Sequence, residues 1–519
     1  MAKPSAPEVA ARLVPYSLGW SAASDSAVLV CAASPFNITA LYRTLSRFAG
    51  EVEAKLVEAA DACPLRRFLD NHVETVFLPL VQEDLRQKAD EALRSLDSWR
   101  ILVGGERQKE LGAPLPVLVS SAQTLELCSH VGQLIRDLPA FAERLAAFWL
   151  LILTEYIRCT KTVYEEATRS SLRRPENGNR LAQDQRRLGH RRRHHNSSAT
   201  AETPTSKEAS SPFGQGAPLS SDQIRQRNER ESEILIGNLG MQKQISEWEV
   251  ITDAKHILSL ADIHESLEWF GGTVREALVS LPEATRRRLK LAQVEVQTAD
   301  SEVAQKENLN DGLETRLSAL EEMSSTCLLM LHLELRVHCF YHLLPLFRQT
   351  SHVITAAQSQ EADARVAALN RDLVYLHQLL RGHLQERKVR YVFEGLGQLS
   401  AEIFINGANH LSRINDNGKK RLCRDLFALQ QCLGKLTSTR EAELDRAKRY
   451  YELLYRGPDD ILQSILDKGP KFTELEYHHL IALAVRSHPT LGRERGALDQ
   501  RLARLGEVFA ERKDLARTG

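Results

Sequence analysis

Apolar residues recur at steps of three and four through most of this chain, the period of a helix that buries one face. The clearest case is Leu422, Leu426, Leu429, Leu433 and Leu436, which fall on a single stripe. Leu444, Ala447, Tyr451 and Leu454 repeat the pattern in the next helix, where Ser438 precedes Glu441 by three residues and reads as a capping box. Thr473 and Glu476 form another such box, opening a helix that carries Tyr477, Leu480 and Leu483.

Toward the amino terminus, Asn37 can cap a helix whose face is Ile38, Leu41, Leu45, Phe48 and Val52. A second helix starts near Pro64 and runs through Phe68, Val73, Val76, Phe77 and Leu80, with Pro79 as a kink because proline removes one backbone donor. Gly104, Gly105, Gly112, Pro114 and Pro116 mark a loop. Helical periodicity resumes from Ser120 to about Arg169 and is densest at Phe141, Phe148, Trp149, Ile152 and Tyr156, the expected core of a first bundle. Further on come Ile245, Trp248 and Val250, then Leu258, Leu260 and Ile263, then Leu267, Trp269 and Phe270. Residues 284–324 are charged and loosely apolar, as in a long helix partly facing solvent. Residues 327–344 are apolar nearly all round, which predicts a central buried helix that Pro345 kinks or ends. Helices near 366–384, 389–404 and 418–436 complete the set. No strand-like alternation competes, so the fold class is all-α.

Between Arg169 and Thr200 nine arginines stand against Glu176 and Asp184, and beyond Ala201 Ser, Thr, Pro, Gly and Ala dominate. Such a segment lacks the apolar surface that would offset the entropy of ordering it, so a disordered linker is expected. Its sharpest feature is Arg186, Arg187, Arg191, Arg192 and Arg193, followed by His194 and His195. Three readings stand for this cluster: a plain solvated linker, a weak contact with an anionic membrane at about 1 kcal/mol per basic residue, and a nuclear-localisation or nucleic-acid patch. Over the whole chain 68 basic residues balance 68 acidic ones, which removes any global argument for nucleic-acid binding.

A chain of 519 residues exceeds one hydrophobic core, so two to four helical units are expected. The eight cysteines are scattered without close pairing, which points to a reducing, cytosolic compartment. The longest apolar run, residues 145–153, is about half the roughly 20 residues that a bilayer requires, so no membrane span is expected. Pro15, Ser21, Ser24 and Asp25 interrupt the first apolar stretch, which argues against a secretory signal.

The motifs of catalysis are missing. Gly395-Leu-Gly397 lacks the third glycine and preceding strand of a dinucleotide site, Asn417-Gly418 lacks the upstream glycine of a phosphate loop, and there is no nucleophile elbow. Glu334, His338 and His342 share one helix face with Cys339 adjacent, a spacing that can hold zinc. The general-base glutamate of a zinc protease is absent between the two histidines, and the plainer reading is a polar stripe on an otherwise apolar helix. No catalytic residue, cofactor or metal is therefore expected. Among the tyrosines, Tyr451 fits the apolar stripe, which leaves Tyr450 as the exposed candidate for a partner contact.

Residues 420–431 (KRLCRDLFALQQ), 440–455 (REAELDRAKRYYELLY) and 471–477 (KFTELEY) closely resemble the carboxy-terminal end of the exocyst complex component 4 family, the Sec-eight subunit. The resemblance continues more weakly through residues 35–42 (PFNITALY), the apolar helix at 145–164 and residues 265–270 (ESLEWF). It covers most of 35–519 and corresponds to the second half of the family's subunit, whose amino-terminal coiled-coil region has no counterpart before Pro35.

The resemblance implies a rod of stacked helical bundles of the tethering-complex type, interrupted by the linker. It implies a non-catalytic subunit in the docking of secretory vesicles at the plasma membrane, cytoplasmic and peripheral to plasma membrane and vesicles. The implied partners are the other exocyst subunits, together with small GTPases and an anionic membrane surface; nucleic acid and small-molecule substrates are not expected. The expected division is a flexible terminus (1–34), a first bundle region (35–168), the linker (169–230), a central bundle region (231–413) and a carboxy-terminal bundle (414–519). A helical scaffold or adaptor outside the exocyst is the alternative. An internal period of roughly 20–50 residues would mark the solenoid form of it, and none is found.

Overall fold

The computed structural model describes residues 34–55, 64–169, 220–239, 245–296 and 305–518. The described chain is all-α apart from two short two-stranded antiparallel sheets. In chain order the elements are α1 (Asn37–Lys55), α2 (Pro64–His72), α3 (Leu78–Arg94), β1 (Leu102–Val103), α4 (Gly105–Glu110), β2 (Val117–Leu118), α5 (Val119–Asp137), α6 (Ala142–Arg169), α7 (Ser221–Leu239), α8 (Ala254–Val279) and α9 (Glu283–Leu291). There follow β3 (Gln293–Val296), β4 (Gln305–Asn308), α10 (Leu309–Arg348), α11 (Ala364–Leu380), α12 (Glu386–Phe393), α13 (Leu396–Gly407), α14 (Asp416–Thr437), α15 (Ala442–Glu452), α16 (Pro458–Lys468), α17 (Glu474–Ser487) and α18 (Ala497–Thr518).

Two compact units form. One takes Met1–Ala113, Val117–Lys161 and Ser266–Glu321, as far as these are described; the other takes Pro114–Pro116, Thr162–Glu265 and Glu322–Gly519. Helices α6, α8 and α10 contribute residues to both.

In the first unit α3 packs on α5, and α1 packs on both α2 and α5. Its core is aromatic. Trp99 stacks on Tyr156 with centroids 5.8 Å apart, and Tyr156 meets Phe270 at 4.6 Å. The buried polar tips of these rings are satisfied: Trp99 Nε1 donates to the Leu93 carbonyl at 2.9 Å, and the Tyr156 hydroxyl pairs with Ser121 Oγ at 2.7 Å. The expected face of α1 is rotated. Ile38, Tyr42 and Ala49 are the buried residues, whereas Leu41 and Phe48 are exposed at 52% and 55%. The Tyr42 hydroxyl donates to Asp70 at 2.7 Å and its ring meets Phe141, which fixes that side inward.

The kink expected at Pro79 is a π turn over Val73–Phe77, in which the Leu78 N–H donates to the Val73 carbonyl. The helix runs without a break from Pro64 through this wider turn to Arg94, and the π turn lies directly before Pro79, where the missing proline donor and the ring's bulk disturb the regular ladder. The single helix expected over 284–324 is instead α9, the β3–β4 hairpin and the start of α10. Gln293-Val294-Glu295-Val296 does alternate, a strand signal that the helical reading passed over.

In the second unit α7 packs on α13, α13 and α14 both pack on α15, α11 packs on α14, and α18 covers α16 and α17. The expected linker reached residue 230, yet residues 221–230 are the first part of α7. Its start is a capping box: Gln223 N–H donates to Ser220 Oγ at 3.3 Å while Ser220 N–H donates to Gln223 Oε1 at 2.9 Å, and Glu231, Ser232 and Leu235 are buried further along. The rest of the linker lies outside the described residues. The helix expected over 389–404 divides at Gly395, whose φ of 83° lies in the left-handed region that glycine tolerates. Helix α10 continues three residues past Pro345, to Arg348.

The five-leucine stripe holds in part: Leu422, Leu426, Leu429 and Leu433 are 0–1% exposed and Leu436 lies half-buried. The Thr473–Glu476 capping box is formed in both directions. The Ser438–Glu441 box is not, because Ser438 ends α14 in a left-handed conformation and Glu441 accepts from Thr437 Oγ1 at 3.1 Å instead. Helix α10 also corrects the expectation that no segment is apolar enough to span a bilayer. By length and composition it passes, but 78% of its apolar window is buried within the protein, as befits a core helix.

Candidate functional site

The long helix α10 organises the buried polar chemistry of the second unit. Its residue Arg336, 2% exposed, places Nε 2.9 Å from Glu231 of α7 and Nη1 2.9 Å from the carbonyls of His332 and Val392, and Nη2 reaches the Glu394 carbonyl. Val392 and Glu394 stand at the carboxy-terminal end of α12, where helix carbonyls lack intrahelical partners and carry partial negative charge. At the opposite end of α12, Glu265 of α8 accepts from the Gln385 N–H at 3.0 Å and pairs with Lys388 at 2.8 Å, both side chains being almost fully buried. A short helix is thus clamped at both ends by charges of the appropriate sign. His332 lies between the Tyr391 carbonyl at 2.9 Å and Glu231 at 2.8 Å, one at each ring nitrogen. Burial and the Arg336 charge press its pKa down to about 4. Asp262 accepts from His383 at 2.6 Å, and this contact holds the imidazole above its ordinary pKa.

Such pairs lock elements together. Removing one partner strands a buried charge at a cost of about 3–5 kcal/mol.

Among the described residues, four cysteines are buried and Cys423 and Cys432 are half-buried. Burial pushes the Cys128 thiol up to about 12 and those of Cys339 and Cys423 up to about 11, so the thiolate is suppressed. Ser324 Oγ lies 2.9 Å from His264 Nδ1, but both residues are buried and the same hydroxyl donates to the His264 carbonyl. No substrate could reach it.

Sequence-singled residues fall in three places. Arg186, Arg187, Arg191, Arg192 and Arg193 lie outside the described residues. Tyr450 is not the exposed anchor expected: it is fully buried, its ring is edge-on to Tyr451 and Phe472, and its hydroxyl donates to the Glu476 carbonyl at 2.8 Å. Tyr451 is buried as well, donating to the Phe404 carbonyl at 2.6 Å. Tyr455 reaches solvent, at 48% exposure; the period placed Tyr451 inside correctly but gave no ground for burying Tyr450.

The third place is the polar stripe of α10. Glu334 Oε1 accepts the Ile251 N–H at 2.6 Å and stands 3.8 Å from His338 Nε2, while Asp372 of α11 approaches His342 at 2.8 Å and His338 at 3.9 Å. Cys339 points elsewhere, with Sγ 4.0 Å from Ser400 Oγ. Asp372 was missed because it is distant in sequence and sits on another helix.

Helices clamped through buried ion pairs, with shielded nucleophiles, define a helical-bundle scaffold. No family model matches the chain. Among curated proteins it is 34% identical over 508 residues to exocyst complex component 4 of Caenorhabditis elegans, covering 95% of this chain and 54% of that protein. It is 33% identical over 486 residues to the Homo sapiens protein of the same name (93% and 48%) and 29% identical over 484 residues to that of Drosophila melanogaster (89% and 47%). The chain belongs to the exocyst complex component 4 family. It spans about half the length of the curated relatives it matches.

Proposed function

We propose that this protein is a non-catalytic subunit of the exocyst, and that its helical bundles present surface to sister subunits during docking of secretory vesicles at the plasma membrane. The observation that carries the reading is similarity along nearly the whole chain to proteins that bear that name. The shielded thiols and paired buried charges support a scaffold rather than an enzyme. Its place of action in this reading is the cytoplasm, peripheral to the plasma membrane and secretory vesicles. Small GTPases and anionic lipid are the further contacts, the lipid engaging Arg186, Arg187 and Arg191–Arg193.

Affinity capture of the full chain from secreting cells, followed by mass spectrometry, tests the assignment. Recovery of the other exocyst subunits above a control bait is the expected result. Their absence, with the chain folded and expressed, overturns it. For the lipid contact, binding to vesicles rich in phosphatidylserine should fall with added salt and fall again when the five arginines are replaced by alanine; unchanged binding by the variant removes that contact from the reading.

A further inference from the structure

Most buried charged side chains of the second unit end on a partner, as Arg336, Glu231, Lys388, Glu265 and Asp262 do. His338 does not. It is 5% exposed, and neither ring nitrogen makes a hydrogen bond. Leaving a buried polar atom without a partner costs about 1–3 kcal/mol, so such a side chain calls for an explanation, an absent ion among them.

Its surroundings are those of a cation site. His338 and His342 are four residues apart on α10, which sets their rings on one face, with centroids 6.5 Å apart. Asp372 of α11 faces both, its Oδ2 lying 2.8 Å from His342 Nε2 and 3.9 Å from His338 Nδ1. One ligand atom from each of the three residues lies within 4.8 Å of the other two.

We propose that His338, His342 and Asp372 bind one divalent transition-metal cation, with Zn²⁺ the best chemical match. Two imidazoles and one carboxylate are a zinc donor set, and bonds of about 2.0–2.2 Å place neighbouring ligand atoms about 3.3 Å apart in a tetrahedron. The observed 2.8 and 3.9 Å separations to Asp372 bracket that value, and the two imidazole nitrogens, within 4.8 Å of each other, close by at most about 1.5 Å to reach it, a movement that side-chain rotation supplies. Glu334 Oε1, held by the Ile251 N–H, stands 3.8 Å from His338 Nε2, beyond hydrogen-bond reach but on the side of the ring opposite the nitrogen that faces Asp372, where a small shift would let it orient the imidazole. An open groove of about 650 Å³ lined by Tyr341, His342, Pro345, Ser246 and Arg365 supplies an entry path and room for a fourth ligand, such as water. Arg365 and Arg371 place positive charge near His342, which sets the affinity below that of a closed structural zinc site.

The test uses the full chain, stripped of metal with a chelator and checked for intact helical circular dichroism. Titration with Co²⁺ should produce the intense visible bands of a tetrahedral ion at one equivalent, and Zn²⁺ should displace it. Zn²⁺ should also raise the thermal midpoint. His342→Gln and Asp372→Asn alter half-buried positions, and each should weaken binding at least tenfold, while His478→Gln on an exposed surface leaves it unchanged. Absence of tetrahedral bands in the folded wild-type chain overturns the proposal without any variant. Binding that survives in either site variant, or falls equally in His478→Gln, overturns it as adventitious attachment to surface histidines.

Discussion

Asp425 offers a sharp test of the packing of the second unit. Its side chain is fully buried on α14, where Oδ1 accepts the N–H of Asp363 at 2.7 Å and Oδ2 has no hydrogen-bond partner. Burial pushes its carboxyl from the ordinary 3.8 up to about 7, with the Asp363 charge adding to the rise and Arg421 and Arg424 opposing it. The sign follows directly. Below about pH 4 both folded and unfolded chains hold the proton; between about 4 and about 7 only the folded chain does, so stability falls as pH rises through that window and is level above it. A shift of about three units corresponds to about 4 kcal/mol at most. Asp425→Asn keeps an acceptor for the Asp363 N–H and never ionises. Urea unfolding followed by circular dichroism, on both proteins at about pH 4 and about pH 8, isolates this group because the other titrations cancel in the difference. The variant should match the wild type to within about 1 kcal/mol at the lower pH and exceed it by about 2–4 kcal/mol at the higher. An equal difference at both values, or a less stable variant at about pH 8, would refute the reasoning.

Three further outcomes are expected. Leu429→Asp places a charge at a position with 0% exposure and should cost about 3–5 kcal/mol, read as a lower urea midpoint; an unchanged midpoint would show that the stripe is not core. Gly407→Ala would bring a Cβ to 2.5 Å from the Phe347 ring and should cost about 1–3 kcal/mol by overpacking, again by urea, whereas a neutral result would mean that the ring moves freely. Tyr451→Phe removes the donor to the Phe404 carbonyl and should cost about 1–2 kcal/mol, and a stabilised variant would contradict that bond.

The sequence was most legible where a single face decides a helix. The leucines of α14 and the box at Thr473 and Glu476 fall where their spacing places them, because local chemistry and tertiary burial agree. Legibility failed where two neighbouring stripes compete. On α1 the apolar stripe of Leu41 and Phe48 stays outside while Tyr42 turns inward, because a hydroxyl that finds Asp70 makes a polar ring buriable. Tyr450 is inside for the same reason, with the Glu476 carbonyl as its acceptor. The histidine spacing on α10 was visible, but Asp372 enters only through the packing of α11, and no period within one helix reports a residue on another.

The threading of the first unit bears on how the chain is made. The Leu118 N–H donates to Ser266 Oγ across 148 residues, and Tyr156 packs on Phe270. At about 5–20 residues per second, a ribosome needs roughly 7–30 s to deliver the later partner after the earlier one has emerged. Trp99 and Tyr156 are therefore synthesised long before the segment that completes their pocket. The waiting nascent chain exposes aromatic surface to any chaperone that binds it, and a break in synthesis before Ser266 leaves a fragment that cannot close this core.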